Sequence, residues 1–352
     1  MTSLEGKMKE SEMYLKMKTL LRNVVPDVEL RIKAELAEQI NQLKAGKNAV
    51  ILGHNYMEPA LYHSIPDYVG DSLYLARMAA KTDRDIIVFC GVRFMAETAK
   101  ILNPHKTVLL PAEKAGCSLA ESITAQDVRD LKDRFPGVPV VSYVNTYADV
   151  KAESDICCTS GNAVEVVNSF KSETVIFLPD EYLAGNVARE TGKHIIFPTL
   201  GTKKLEFDTS LDYQMVGWRG RCEVHEKFTL ADIRSVREQF PDVVILAHPE
   251  CSPEVVLASD FSGSTTSMIR YIEQSNAPHF LLLTECAMGD NIIAANPDKP
   301  MLRLCSVRCP HMNQITLEDT LKSLQLNRYV IEVPEEIRLR ALKAVEGMIA
   351  IG

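Results

Sequence analysis

Cys222-Glu-Val-His-Glu-Lys-Phe-Thr229-Leu-Ala-Asp232 is the stretch from which the fold is read, because its frame occurs three times in the chain. Cys117 stands in the same relation to Thr124-Ala-Gln-Asp127, and Cys309 to Thr316-Leu-Glu-Asp319, so each copy is Cys-x6-Thr-x-x-Asp. Thr-x-x-Asp ahead of an apolar-periodic run marks a helix N-terminus. The hydroxyl accepts an orphan backbone N–H, and the acid sits at the positive end of the dipole. Internal repetition dictates architecture. Of the nine cysteines only these three share a repeated frame, and three equivalent thiols in a threefold-repeated chain can converge on one point.

Outward from each frame, short apolar strands alternate with helices. The first pass runs from a helix over 28–45, with Ile32, Leu36, Ile40 and Leu43 on its inner face, into strand Ala49–Leu52 and then His54-Asn55-Tyr56. A helix opens near Ser72, and strands Ile86–Phe89 and Thr107–Leu110 follow. In the second pass, strand Pro139–Ser142 ends in Tyr143-Val144-Asn145, a helix opens at Thr159-Ser160-Gly161-Asn162, and strands Thr174–Leu178 and His194–Phe197 follow. Residues 199–221, which hold the single tryptophan, Trp218, read as a loop or hairpin insertion. In the third pass, Val243–Ala247 ends in His248-Pro249-Glu250, a helix opens at Gly263-Ser264-Thr265, and His279–Leu283 follows.

The spacing supports this alignment: His54 to Ser72 is 18 residues, and Tyr143 to Ser160 and His248 to Thr265 are both 17. Alternating strands and helices predict parallel βαβ units with right-handed crossovers. The expected fold is α/β, with three similar three-layer α/β/α domains related by pseudo-threefold symmetry, an internal triplication of small parallel sheets. The expected units are an N-terminal helical segment 1–44 and repeats 45–116, 117–221 and 222–316. The tail 317–352, with a strand-like Tyr329–Val333, is expected to pack back on the first repeat.

Composition narrows the class. Of 352 residues, 46% are apolar and 24% charged, as in a globular domain protein, and the net charge of −8 argues against nucleic acid or an anionic membrane as partner. Charges run through residues 1–27, leaving no apolar signal core, and no run reaches membrane-spanning length. A cytoplasmic chain is expected, in which cysteines serve more often as ligands, catalytic thiols or core residues than as disulfides. Met13, Met17, Leu20, Leu21 and Val24 recur at helical spacing and predict a docking helix.

In open parallel sheets, ligands bind beyond the carboxyl ends of the strands. Those ends carry His54, Tyr56, Tyr143, Val144, Asn145, His248, Pro249 and Glu250, and the following helices open with Ser72, Ser160 and Thr265. Each hydroxyl can simply cap its helix. Three helix N-termini converging also suit a small substrate rich in carboxylate or phosphate. Glu250, Tyr56, Tyr143, His54 and His248 are the candidate acid–base groups. Cys90, Cys157, Cys158, Cys251 and Cys286 read as buried structural thiols, and Cys305 near Cys309 as a weak zinc half-site. Cys117, Cys222 and Cys309 fit either a three-Cys zinc site or an iron–sulfur cluster lacking its fourth ligand.

Taken together, Gly53-His-Asn-Tyr56, Val69-Gly-Asp-Ser72, Phe94-Met-Ala-Glu-Thr-Ala-Lys100, Ala115-Gly-Cys117, Tyr143-Val-Asn145, Cys158-Thr-Ser-Gly-Asn-Ala163, His248-Pro-Glu250, Gly263-Ser-Thr265 and Cys309-Pro310 resemble the quinolinate synthases over residues 45–345. The resemblance implies a 4Fe-4S cluster held by Cys117, Cys222 and Cys309, with one open iron. It implies condensation of iminosuccinate (iminoaspartate) with dihydroxyacetone phosphate to quinolinate for NAD synthesis, losing phosphate and water. It also implies transient supply of the imine by an aspartate-oxidising enzyme. By position, His54, Ser72, Tyr143, Asn145, Ser160, His248 and Thr265 would hold the substrate, with Glu250 and Tyr56 shuttling protons. Some family members carry Cys-x2-Cys-x2-Cys ending at the third ligand. Here Cys305 and Cys309 are separated by three residues.

Overall fold

The computed structural model describes residues 10–198, 212–303 and 306–352. Its strands form three small parallel sheets, so the protein is α/β. The first sheet holds β1 (Ala49–His54), β2 (Tyr68–Gly70), β3 (Ile86–Cys90) and β4 (Thr107–Leu109), in the order β2-β1-β3-β4. The second holds β5 (Val140–Tyr143), β6 (Ile156–Cys158), β7 (Val175–Leu178), β8 (Ile195–Ile196) and β9 (Met215–Gly217), in the order β6-β5-β7-β9-β8. The third holds β10 (Val243–Ala247), β11 (Phe261–Ser262) and β12 (His279–Leu283), in the order β11-β10-β12. In each, the first strand in sequence is central, its successor lies on one side and the third strand on the other. Central β1, β5 and β10 are apolar and almost entirely buried, as strands covered on both faces must be.

One device holds the central strand in all three sheets. The backbone N–H groups of Ile51, Val140 and Ile245 each donate, at 2.8 Å, to the carboxylate of Asp67, Asp155 or Asp260. Each aspartate returns its own N–H to the same residue's carbonyl at 2.8, 3.0 and 2.8 Å. Paired bonds of this kind set the register where the following strand enters.

The repeated helix starts also take the expected form. Thr124 with Asp127, and Thr229 with Asp232, make reciprocal capping boxes, and Thr316 accepts the Asp319 N–H at 3.0 Å. The N-terminal helix Glu12–Leu21 buries Tyr14, Met17 and Leu21. The next helix, Asp27–Gly46, buries Leu30, Ala34, Ala37 and Ile40, whereas Ile32 is 58% exposed. Ile40 is buried and Leu36 and Leu43 pack against the core as expected, so Ile32 alone of the four departs from the inner face.

Two further expectations change. Residues 199–211 lie outside the described residues, but Met215–Gly217 is a strand seated between β7 and β8, parallel to both. The end of the presumed insertion is thus sheet, and parallel pairing with β8 excludes a tight hairpin between them. In the tail, Val330 makes an antiparallel bridge to Leu109 at the edge of the first sheet. The last helix, Glu335–Ala350, packs against elements of both the first and the second sheet regions. The Met348 and Ile351 carbonyls accept from Asn162, and those of Ile349 and Gly352 from Arg77. No helix among the described residues is long and apolar enough to cross a membrane.

Candidate active site

The carboxyl ends of β1, β5 and β10 open on one cavity. His54, Tyr56, Ser72, Tyr143, Asn145, Ser160, His248, Glu250 and Thr265 line it, as do Cys117, Cys222 and Cys309. Val144 and Pro249 are not among the lining residues; their carbonyls accept from Lys151 and Asn186, which do not line the cavity either.

The helix-start hydroxyls are released from capping. Asp71 caps Ser72–Lys81, accepting from the Tyr74 N–H at 3.0 Å, and Ser264 caps Thr265–Gln274, accepting from Ser267 at 3.3 Å. Before Ala163–Asn168 the flanking residue is Asn162, and Ser160 instead lies 3.2 Å from His248 Nε2. Thr265 Oγ1 accepts from Asn55 Nδ2 at 2.8 Å, and Ser264 Oγ donates to Asp71 at 3.1 Å. These contacts join segments far apart in sequence at the cavity wall.

Both strand-end histidines have a defined tautomer. His54 Nδ1 accepts the Tyr56 backbone N–H at 3.2 Å, and His248 Nδ1 accepts that of Glu250 at 3.3 Å. The proton is therefore on Nε2 in each neutral ring. Burial lowers His54 to about 4 and His248 to about 3, against partial opposition from nearby acids. At neutral pH they are uncharged donors.

Glu250 is the buried anion between them. Burial pushes its carboxyl up, but His225, His248 and the hydrogen bonds of His225 and Tyr143 outweigh that and hold it well below the usual range. Tyr143 donates to Oε1 at 2.5 Å, and His225 Nδ1 lies 2.7 Å from Oε2. The His225 ring stacks on His248 at 4.5 Å. Burial raises Tyr143 and Tyr56 well above an ordinary phenol, so both keep their protons. One ionised carboxylate, two phenols and neutral imidazole donors thus share a single chamber, an arrangement suited to moving protons at a carbon substrate.

The thiols divide into two kinds. Cys90, Cys157, Cys158 and Cys251 are shut in the core, whereas Cys117, Cys222 and Cys309 are only partly buried and open on the cavity. Each of these three heads a short helical turn, with its carbonyl accepting an N–H four residues on at 3.0 Å. Burial pushes Cys117 to about 12, Cys309 to about 11 and Cys222 well above its ordinary value, while two backbone N–H groups act against that at each sulfur. The donors are Leu119 and Ala120, Val224 and His225, and His311 and Met312. Paired N–H donors on a thiol that burial otherwise keeps neutral are the surroundings of a thiolate bound to a soft cation. The residues present fit such a group. A second set, Cys222, His225 and Glu250, brings its ligand atoms within 4.8 Å of one another.

Cys286 is disulfide-bonded, not the free buried thiol expected from sequence, and Cys305 lies outside the described residues. His225, Thr284 and His311 were not singled out by spacing. His225 lies inside the opening stretch, three residues after Cys222, which was the available signal. His311 has Nε2 on Glu223 at 2.9 Å and a buried Nδ1 without a partner.

The profile of the family described as Quinolinate synthetase A protein matches residues 38–350. Quinolinate synthase 2 of Mesorhizobium japonicum is 50% identical over 331 residues, covering 94% of this chain and 96% of that one. Quinolinate synthase of Agrobacterium fabrum is 50% identical over 328 residues, 93% and 89% of the two chains. That of Xylella fastidiosa is 50% identical over 314 residues, 89% and 86%.

Proposed function

The chain belongs to the quinolinate synthetase A protein family and is an enzyme of NAD biosynthesis with quinolinate synthase activity; from this premise we propose that it condenses iminosuccinate with dihydroxyacetone phosphate, losing phosphate and water. The observation that carries the reading is the shared cavity, which three cation-seeking thiols line together with Glu250, Tyr143, Tyr56 and two neutral histidines. In this reading Cys117, Cys222 and Cys309 hold a 4Fe-4S cluster. With three protein ligands, such a cluster keeps one iron open to act as a Lewis acid on a departing hydroxyl.

The chain's own groups do the rest. Nε2–H of His54 and His248, the Asn145 amide and the hydroxyls of Ser72, Ser160 and Thr265 bind the two carboxylates without burying a matching cation. Glu250, ionised and desolvated, takes a proton from carbon, and Tyr143 on Oε1 steadies the carboxylate as its charge changes. Tyr56, protonated at neutral pH, is the acid that delivers a proton to oxygen. The three sheets share one strand order and one aspartate pin, which supports a triplicated architecture with units 45–116, 117–221 and 222–316. In this reading the enzyme works in the cytosol, where an aspartate-oxidising enzyme would supply the imine.

The set Cys222, His225 and Glu250 favours a second reading, a zinc site. It uses one thiol, leaves Cys117 and Cys309 idle, and gives up the 2.7 Å His225–Glu250 contact. Iron and acid-labile sulfide measured per chain after anaerobic purification separate the two. About four of each, lost in Cys222→Ser, together with quinolinate formed only when dihydroxyacetone phosphate is supplied, is the expected result. Stoichiometric zinc without sulfide overturns the cluster reading.

A further inference from the structure

Four groups on the cavity wall, Tyr56, His225, Glu250 and Tyr143, are joined through a fifth that does not reach the cavity. Thr284 follows β12 and is fully buried, and it is absent from the cavity lining. Its Oγ1 lies 2.6 Å from the Tyr56 hydroxyl and 2.9 Å from His225 Nε2. Beyond His225 the chain of contacts continues through Nδ1 to Glu250 Oε2 at 2.7 Å, and through Oε1 to Tyr143 at 2.5 Å. The chain brings together residues from all three sheets.

The donor directions follow from the anion at one end. Ionised Glu250 has only lone pairs, so the proton on the short contact belongs to His225 Nδ1. The same Nδ1 lies 3.2 Å from Cys222 Sγ. On the other side of the ring, the Thr284 hydroxyl stands between Nε2 and the Tyr56 phenol, within hydrogen-bond distance of both. A threonine hydroxyl has one proton and two lone pairs, and can serve both partners at once.

We propose that Thr284 is a positioning residue for the reaction, whose hydroxyl fixes both the orientation of the His225 ring against Glu250 and that of the Tyr56 phenol. Without that hydroxyl, Nε2 and the phenol lose a buried partner. The ring is then free to turn from the orientation that sets Nδ1 on Glu250. Glu250 and Tyr56, which meet the two nitrogens of one His225 ring, thus both depend on a side chain outside the cavity lining. This rests on the functional reading above.

The test is steady-state quinolinate formation by the cluster-loaded enzyme and its Thr284→Val and Thr284→Ser variants, with iron and sulfide content measured on each. Val keeps the shape and removes the hydroxyl, whereas Ser keeps the hydroxyl and removes a methyl. The expected result is a fall in kcat of about tenfold or more in Thr284→Val, with KM for dihydroxyacetone phosphate and cluster content unchanged, and near-parental kcat in Thr284→Ser. Tyr56→Phe combined with Thr284→Val should lose less than the two single losses multiplied, since both break one chain. If Thr284→Val does not fold, Thr284→Ala removes the hydroxyl without crowding and replaces it. Parental kcat in Thr284→Val, or equal losses in Val and Ser, overturns the proposal. The unsubstituted enzyme separates this from the reading beneath it: no quinolinate from that chain overturns the reading itself, and Thr284 with it.

Discussion

The turn after β5 and the turns after β1 and β10 meet one backbone demand with different chemistry. After β1, the carbonyls of Asn55 and Met57 accept from Asn291 Nδ2 at 3.1 and 2.9 Å. After β10, those of Pro249 and Cys251 accept from Asn186 Nδ2 at 2.9 and 3.0 Å. After β5, those of Val144 and Thr146 accept from Lys151 Nζ, the first at 2.9 Å. In every case two carbonyls, two residues apart, turn away from the cavity onto a single nitrogen, which leaves the side chains between them aimed inward. The asparagines reach across from helices of other sheets, Cys286–Ala295 and Glu181–Thr191. Lys151 comes from the helix Ala148–Ala152, just past its own turn. There the neighbouring segment acts one step removed, through Glu97, whose carboxylate accepts the Ala148 N–H at 2.8 Å.

The difference teaches what each solution costs. An amide brings two N–H groups and no charge, and makes each turn depend on its neighbour. A lysine brings a cation into a fully buried place, with the Phe94 ring 5.5 Å away. Burial, only partly opposed by Cys157, Glu97 and Asp149, lowers its pKa from the ordinary 10.5. Even a neutral amine keeps two N–H groups, so the clamp does not require the charge.

The largest effect expected from this comparison is that of Lys151→Met, which leaves two buried carbonyls without their donor and should cost about 3 kcal/mol in denaturant unfolding. A variant as stable as the parent would break the equivalence of the three clamps. Asn186→Leu should cost less, about 2 kcal/mol. Because its turn carries Glu250, kcat for quinolinate should fall with it; intact kcat would show that the clamp does not aim the carboxylate. The smallest effect is on pH dependence. Between the lowered folded value and 10.5, the folded chain binds fewer protons at Lys151 than the unfolded chain, so stability rises with pH across that window. Thermal melts from neutral pH upward should show this slope in the parent and in Asn186→Leu, and a reduced slope in Lys151→Met. An undiminished slope there would place its source elsewhere.

Legibility followed repetition. His54, Tyr143, His248, Glu250 and the three cavity thiols were found because each recurs at the same place in a repeated frame, and repetition survives ignorance of the fold. Asp67, Asp155 and Asp260 recur as regularly and were also readable in principle, as an acid about one helix-and-turn beyond each central strand. Ile32 misled because helical periodicity marks a face, and only the packed neighbours decide which positions on that face are covered. Met215–Gly217 was missed because a three-residue strand carries no period of its own and is defined by the strands it enters.

Sequence alone determined the α/β class, the repeated strand-end residues and the set of thiols, since these follow from local periodicity, capping chemistry and recurrence along the chain. Tertiary structure alone decided which groups meet: Thr284 behind Tyr56, His225 beside Glu250, and Asn291, Lys151 and Asn186 beneath their turns. Each of these is a single polar residue whose role comes from burial beside a partner. Thr284 and Tyr56 lie 228 residues apart, and Asn291 and Met57 lie 234 apart. Hydrogen bonds over such separations leave no pattern in either segment, because their energy depends on a distance that only the folded chain defines.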